Sequence, residues 1–253
     1  MTEFSVDKYN SPIVAKDLEY SALWKHYDNN NNLTHVCLFG DKLDEEGNPI
    51  EEAISGGYSR IRYEYDNKGN ATKRVYSFKD WNALVINTET GYCQKVSQFD
   101  NRGNETTIWY YDEGGNACLT NEGFFCQTNE YDNRNNCIKT IYYDINTLVI
   151  NSKTKTAYTE YEYDNRNNMT ARREYGLNGL TIGQYGFATM LQKFDSQNHL
   201  IEVLYFDENG NPIESSYDNC ARIEYQYDTA GNKVSSSYYD SAGTTTEYKT
   251  SGG

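Results

Sequence analysis

Apolar and polar residues alternate along short segments of this chain, and each segment ends in the same polar motif. Segments such as 59–65 and 221–227 alternate with a period of two, which is typical of a β-strand with one buried face. An aromatic residue then precedes Asp, two variable residues, Gly or Asn, and usually a further Asn. The seven motif aspartates, spaced 31–38 residues apart, are Asp28, Asp66, Asp100, Asp132, Asp164, Asp195 and Asp228. A period of this length predicts an array of stacked supersecondary units.

The residue three positions after each aspartate indicates that the motif is a turn. These residues are Asn31, Gly69, Gly103, Asn135, Asn167, Asn198 and Gly231. Gly and Asn are the two types that most readily accept a positive φ. A type I turn followed by a left-handed residue is a common hairpin loop with a bulge, and the aspartate can fix it by accepting a backbone hydrogen bond. The motif therefore predicts a hairpin tip.

A second tip is predicted twelve residues beyond most of the motif aspartates. Asp112, Asp207 and Asp240 each begin an Asp-x-x-Gly sequence, and Asp44 begins a displaced equivalent in the first unit. Segment 176–179 keeps the Gly and loses the Asp, whereas 144–147 keeps the Asp and loses the Gly. We expect irregular hairpins at these two places.

Between the two tips, one strand face carries β-branched residues and then an aromatic, and we expect this face to turn towards the core. Its members in three units are Thr106, Ile108 and Tyr110; Ile138, Thr140 and Tyr142; and Ile201, Val203 and Tyr205. The opposite face ends in a second aromatic row, formed by Tyr111, Tyr143, Tyr175, Phe206 and Tyr239. Stacked units would carry that row as a ladder.

A Gly-aromatic-small signal marks the approach to the next return strand. It occurs at 57–59, 91–93, 123–125 and 186–188, after a more variable connector. The predicted fold class is therefore all-β, with an array of about seven β-hairpin repeats. Its form stays open between an extended antiparallel sheet, a solenoid-like array and a partly closed shell. We assign residues 1–25 to an N-terminal cap, 26–243 to the array and 244–253 to a flexible tail.

Composition changes the picture of the core and of the partners. Only 37% of the 253 residues are hydrophobic, yet 25 are Tyr and 9 are Phe, so the core must consist largely of amphipathic rings. The formal net charge of −14 opposes non-specific binding to nucleic acids or anionic lipids. No apolar run is long enough to cross a membrane as a helix, and the first residues lack a signal-peptide pattern. We expect a cytoplasmic protein, with export or cell-surface display as the alternative if the sequence is a trimmed piece.

The six cysteines do not recur at one repeat position, so we expect free thiols in preference to a disulfide ladder. They also form no Cys-x-x-Cys pair, which disfavours a structural zinc site. No cofactor is predicted.

The repeats resemble the Tyr-Asp repeats of bacterial rearrangement-hotspot (Rhs-like) and teneurin-like proteins. They resemble most a longer-period variant that alternates Gly-Tyr-Ala, Tyr-x-Tyr-Asp-x-x-Gly-Asn and Tyr-Tyr-Asp-x-x-Gly-x-Pro. The matching segments include 57–70, 207–212 and 222–232, and 44–51 is echoed by 207–214. The resemblance implies a non-catalytic β-sheet shell or rod that encloses a toxic domain or presents a surface for contact. Because no toxin segment is appended, adhesion or scaffolding is what it implies here.

The polar and aromatic residues of the repeats suggest three kinds of chemistry. Calcium binding by the tip aspartates competes with their simpler role in the turn, and neither an EF-hand loop nor a nonapeptide repeat occurs. His26, His35 and His199 are scattered, and Glu45 and Glu46 have no obvious partner, so catalysis lacks support. Aromatic rings could stack on sugars or simply pack across strands. The candidate binding residues are Tyr111, Tyr143, Tyr175, Tyr239 and Trp109.

The predicted function is that of a non-enzymatic module that binds a protein or glycan through its β face, the tip aromatics and the variable connectors. Specificity would reside in the connectors, roughly 80–90, 117–125, 147–157 and 180–186. Three alternatives stay open. They are a structural protein that self-associates through strand edges, a fragment of a toxin-enclosing shell, and a glycan-acting enzyme.

Overall fold

The computed structural model describes residues 2–4 and 22–247, and the chain divides into two compact units, Met1–Cys126 and Gln127–Gly253. Every regular element among the described residues is a β-strand, which confirms the predicted all-β class. No helix in this part of the chain is long and apolar enough to cross a membrane. Most of the proposed cap lies outside the described residues, as do the last six residues of the proposed tail.

Unit 1 is an antiparallel sheet in which each long strand pairs with the next along the chain. Its bounds are β1 (Thr2–Phe4), β2 (Ala22–Tyr27), β3 (Leu33–Leu43), β4 (Pro49–Glu51), β5 (Arg60–Tyr65), β6 (Ala71–Ser77), β7 (Gln94–Phe99) and β8 (Glu105–Tyr111). The hairpins β2–β3, β5–β6 and β7–β8 are joined through the β3–β5 and β6–β7 pairings. Residues 22–25, assigned above to the cap, lie in β2.

Unit 2 repeats the same arrangement after β9, which begins at the unit boundary. Its bounds are β9 (Cys126–Tyr131), β10 (Cys137–Tyr143), β11 (Tyr158–Tyr163), β12 (Met169–Gly176), β13 (Gly179–Leu180), β14 (Thr189–Phe194), β15 (Leu200–Phe206), β16 (Arg222–Tyr227), β17 (Lys233–Tyr239) and β18 (Thr245–Thr246). Strands β10–β11, β12–β14 and β15–β16 join its hairpins. Thr245 and Thr246, assigned above to the tail, pair with β17.

The first tips have the predicted turn chemistry. All seven residues at the third position after the aspartate have positive φ, from 64° at Asn31 to 87° at Gly103. At Asp66 the Oδ1 atom accepts the N–H groups of Lys68 and Asn70, both at 2.9 Å. The strand register shifts immediately before the tip, for example between Glu64 and Tyr65, which is the expected bulge.

The second tips are regular where Asp-x-x-Gly is complete and irregular where it is not. Gly47, Gly115, Gly210 and Gly243 all have positive φ. At 176–179 the chain instead forms a tight turn between β12 and β13, with Gly176 opposite Gly179. At 144–147 the Asp144 N–H donates to the Thr147 carbonyl at 2.8 Å. The predicted irregularity in the middle of the array is confirmed.

The predicted inward face is buried in two of the three units from which it was deduced. Ile108 and Tyr110 are buried in unit 1, and Val203 and Tyr205 are buried in unit 2, where they join a cluster with Phe187, Met190, Cys220 and Ile223. The corresponding Ile138, Thr140 and Tyr142 on β10 are only half-buried. On β8 and β15 the buried side chains thus lie on the predicted inward face.

Candidate binding site

In unit 1 the inward face is filled by a continuous run of aromatic rings. Tyr76, Tyr92 and Tyr110 follow one another with ring centroids 6.0 and 4.6 Å apart, and Tyr58 and Phe124 extend the run at its two ends. Rings at these separations pack favourably as well as burying apolar area. This part of the face leaves little room for a ligand.

One residue of unit 2 interrupts the regular pattern of that inward row. The residue ten positions after each tip aspartate is Leu38, Tyr76, Tyr110, Tyr142, Glu174, Tyr205 or Tyr238. Glu174 on β12 is therefore the single charged member of an otherwise apolar or aromatic row, and only 1% of it is exposed. A buried carboxyl requires specific partners, because an unpaired charge in a core is strongly unfavourable.

Glu174 has two such partners on its own sheet. The Thr159 Oγ1 hydroxyl donates to its Oε2 atom at 3.0 Å, and an Arg172 Nη2 atom lies 2.5 Å from its Oε1 atom. Burial raises the pKa of Glu174, although the nearby Arg172 charge opposes that shift. Gly183 packs against the carboxyl, since a Cβ there would lie 3.1 Å from its Cδ atom.

Arg172 extends from this ion pair across the aromatic rings beside it. Its Cζ atom lies 4.9 Å from the ring centroid of Tyr185, 5.8 Å from that of Phe187 and 5.9 Å from that of Tyr161. A guanidinium over a ring face is attracted by the negative π surface. The ion pair and the rings together fix where this cation lies.

A cleft of about 370 Å³ opens beside Arg172 on this face of unit 2. Such a volume falls within the usual range of small-ligand sites. Aromatic and aliphatic side chains form most of its wall, with a few polar groups among them. The lining residues used below are Arg172, Tyr185, Gln192, Tyr217, Asp218 and Tyr225.

A turn within the connector before β16 places Tyr217 and Asp218 at this cleft. The Ser215 N–H donates to the Cys220 carbonyl at 3.0 Å, and Asn219 within the turn has a φ of 54°. The Tyr217 ring is 68% exposed and meets the Tyr185 ring edge-on, at 6.0 Å and 87°. An exposed ring held by a closed turn is an accessible stacking surface.

Asp218 is held from both sides. It accepts a hydrogen bond from the Tyr205 hydroxyl, and its own N–H donates to the Ser215 Oγ atom at 3.0 Å. Burial, together with the Asp218 carboxylate, raises the pKa of Tyr205, and burial raises that of Tyr225 to about 12. Both phenols are therefore neutral hydrogen-bonding groups at physiological pH.

The candidate residues predicted from the sequence do not lie in this cleft. All five are half-buried. Tyr175 stacks on Tyr158 with centroids 4.4 Å apart and planes 8° apart, Tyr111 meets Phe125 edge-on, and Trp109 lies opposite Val96. Tyr143 forms a backbone bridge with Leu148. Each of these four residues thus has a neighbour within its own unit, and for Tyr175 that neighbour is a ring stacked across the strands.

Tyr239 is the exception among them, because it lines a separate cleft of about 200 Å³ with Pro212 and Ser241. Its hydroxyl nevertheless donates to the Glu224 Oε2 atom at 2.7 Å, and Arg222 lies over its ring at 5.2 Å. The phenol is thus already engaged within its own hairpin.

The connectors are more regular than their sequences indicate. Each of them contains a third turn, which hydrogen-bonds to the turn one repeat away in the same unit. Thr88 N donates to Gly56 O at 3.0 Å in unit 1, and Gln184 N donates to Thr154 O at 2.9 Å in unit 2. The Gly-aromatic signal marks these turns, but it overlooks two in which Lys155 and Asn219 take the positive φ. The connector that holds Tyr217 was not among those predicted from the sequence.

The tip aspartates and His199, which the sequence raised as possible functional residues, form hydrogen bonds within their own turns. The tip aspartates accept hydrogen bonds from their own turns, and a turn asparagine, Asn104, lowers the pKa of Asp100 to about 2. His199 faces Asp195 across its turn, with its Nδ1 atom 3.0 Å from Oδ2. Within residues 2–4 and 22–247, no group of three or more His, Cys, Asp or Glu side chains is placed to hold a metal ion.

No protein-family model matches the chain, and no curated protein matches it significantly. Among solved structures, it is similar to the crystal structure of TcdB2-TccC3, with 12% identity and a TM-score of 0.35 over 94% of this chain. It is also similar to that of TcdB2-TccC3-Cdc42, with 13% identity and a TM-score of 0.34 over 95% of this chain. The chain spans 14% of the length of each of these. Likeness at this level does not establish a shared family or function.

Proposed function

We propose that this chain is a non-enzymatic β-repeat scaffold that binds a protein or glycan partner, with the Tyr217 cleft of unit 2 as its main contact site. The observation that carries the proposal is the interruption of the inward row at Glu174. Beside it an aromatic-lined cleft lies open, whereas the equivalent face of unit 1 is filled by Tyr76, Tyr92 and Tyr110. A concave, mostly apolar site with a few polar groups is the usual form of a binding site.

Two carboxyls, that of Asp218 in the cleft and that of the buried Glu174 beside Arg172, support binding in preference to catalysis. Glu174 is paired with Arg172 and Thr159, and Asp218 accepts the Tyr205 hydroxyl. A glycosidase needs one carboxyl free to donate a proton and another facing the reacting carbon. Here both carboxyls are already engaged by neighbouring side chains.

The test combines a capture assay with a turnover assay. The wild-type chain and the Tyr217→Ala variant are compared on a glycan array and in pull-downs, and both are screened for hydrolysis of soluble glycans. We expect capture by the wild type, weaker capture by the variant and no turnover by either. Turnover that Asp218→Asn abolishes would instead show that the chain is an enzyme.

A further inference from the structure

We infer that the Tyr217 cleft of unit 2 takes a neutral sugar ring, so that the partner is an uncharged pyranose-containing glycan. This inference rests on the proposed binding function and adds the chemical class of the ligand. Two independent observations carry it. The first is the identity of the third residue in each third turn, and the second is the arrangement of the charged groups around the cleft.

The first observation concerns the third residue of each third turn. Among the described third turns this residue is Gly56, Glu89, Glu122, Lys153, Tyr185 or Tyr217, as the hydrogen bonds that close each turn define it. Four of the six are glycine or charged. The two aromatic ones belong to successive turns, and both line the cleft. A generic repeat turn does not require an aromatic here. Tyr185 packs against the core cluster, but Tyr217 is 68% exposed, so the Tyr217 ring needs an explanation beyond the fold.

The turns themselves hold the two rings in register. Ser216 N donates to Tyr185 O at 2.9 Å, and the Ser216 Oγ hydroxyl donates to Gln184 O at 3.3 Å. The turn bearing Tyr217 is thus fixed to the turn bearing Tyr185, with their rings at 87° to each other. Turns held in this way lose little further backbone conformational entropy when a ligand binds.

The second observation is that the charged groups of the cleft already have partners within the protein, since Arg172 pairs with Glu174 and Asp218 accepts the Tyr205 hydroxyl. Arg172 already lies over the Tyr185 and Phe187 rings, so it would repel a cation seeking those π surfaces. Asp218 and the buried Glu174 would repel an anion, and the whole chain carries a net charge of −14. An uncharged ligand avoids both penalties.

A pyranose ring is uncharged, and it matches the exposed aromatic ring and the hydrogen-bonding groups of the cleft. Its axial C–H groups form an apolar face that can pack on the exposed Tyr217 ring, and its hydroxyls can both donate and accept hydrogen bonds. The Asp218 carboxylate, the Gln192 amide and the Arg172 guanidinium lie around the same cleft and supply acceptors and donors. The volume of about 370 Å³ is suited to a ligand of one or two sugar rings.

The test uses isothermal titration calorimetry of the full chain with the neutral oligosaccharides cellohexaose, maltohexaose and chitohexaose. A sulfated heparin hexasaccharide serves as the anionic probe and a trimethyl-lysine peptide as the cationic probe. We expect at least one neutral oligosaccharide to bind and both charged probes to bind at least tenfold more weakly. Tyr217→Ala should weaken the sugar binding at least tenfold, and Asp218→Asn should also weaken it. Tyr27→Ala removes an exposed ring from unit 1 and should leave the affinity unchanged.

Every other result overturns the inference. The pattern of results also shows whether the proposed function fails together with the inference or stands without it. Sugar binding that Tyr217→Ala leaves intact would refute this site while keeping a glycan-binding scaffold. Preference for either charged probe would refute the neutral ligand class. If no sugar binds but a protein partner is captured in a Tyr217-dependent way, the inference fails and the proposed function stands. If neither sugars nor proteins bind, both fail. Unchanged circular dichroism and melting of Tyr217→Ala confirm that the variant is folded.

Discussion

The Glu174 carboxylate and the Arg172 guanidinium lie 2.5 Å apart on one face of β12. In most other repeats the residue equivalent to Glu174 is a tyrosine. The pair replaces part of an aromatic layer by a charged contact, which costs desolvation and is stabilising only while both partners remain. The same pair holds Arg172 across the rings at the cleft. A local departure from the repeat thus coincides with the candidate binding site.

Removal of one partner of this pair should be costly. Glu174→Ala leaves Arg172, which is largely buried, without its counter-charge, and should lower the free energy of unfolding by roughly 3 kcal/mol. Glu174→Gln keeps a hydrogen-bonding group near Thr159 and should lose less. Urea unfolding followed by circular dichroism measures both.

The matched control for that prediction is Glu162→Gln, which breaks the more exposed pair with Arg173 in the same hairpin. An exposed pair contributes about 0–1 kcal/mol, so this change should have little effect. Equal losses in the free energy of unfolding for Glu174→Ala and Glu162→Gln would show that burial of the Glu174–Arg172 pair does not increase its contribution to stability.

Low pH should destabilise the folded chain, because it protonates the aspartates of the hairpin tips. Hydrogen bonds from Asn70 and Asn104 lower the pKa of Asp66 and Asp100, the latter to about 2, and the pKa values of the other five first-tip aspartates are lowered as well. A carboxyl with a lowered folded pKa contributes stability above its unfolded pKa, near 3.8, and loses it as the pH falls through the folded value. The urea midpoint should therefore fall between about pH 4 and pH 2.

Asp100→Asn provides the comparison for the acid series, because its amide oxygen can still accept the turn hydrogen bonds but does not titrate. Its midpoint at pH 6 should lie below that of the wild type, and the gap should narrow as the pH approaches 2. A gap that stays constant across the series would contradict the assignment of the acid effect to the tips.

The left-handed position of the tips should resist alanine. Gly103 has a φ of 87°, and a Cβ there would be no closer than 3.6 Å to other atoms, so Gly103→Ala tests backbone strain without a clash. We expect a loss of roughly 1–2 kcal/mol in the free energy of unfolding. Gly176→Ala is the control, since its φ is not in the left-handed range and its nearest contact is 3.4 Å. A similar loss at both positions would refute the strain argument.

The thiols should differ in reactivity. Cys37, Cys93, Cys126 and Cys220 are buried, and burial raises the pKa of Cys37 and Cys220 to about 11. Cys118 is half-buried, but burial raises its pKa to about 11 as well. Since the thiolate is the reactive form, a disulfide reagent at pH 7.5 should label Cys137 first.

Mass spectrometry of the partly labelled native chain identifies the modified residue, and the denatured chain should label at all six cysteines. Cys137→Ser should remove the fast phase. Fast labelling of Cys118 in the native chain would contradict the expected order.

Local chemistry could be predicted from single residues. Asn31 and Gly69 identify left-handed turn positions because few other residues accept positive φ, and Asp66 identifies the turn that it caps. The inward direction of Ile108 and Tyr110 followed from the period of two. The binding site could not be predicted in this way. Tyr175 and Tyr217 are both tyrosines beside turns, and the sequence does not distinguish the ring stacked on Tyr158 from the exposed one.

The sequence by itself determined the repeat, the hairpin tips and the aromatic nature of the core, because turn geometry and strand alternation depend on residues close together in the chain. Only the tertiary structure decided which rings are occupied by neighbours and which remain available. Arg172, Tyr185 and Tyr217 belong to three different segments, and they line one cleft because the third turns stack through backbone hydrogen bonds. Contacts of that kind join residues about 30 positions apart, beyond the reach of any local pattern.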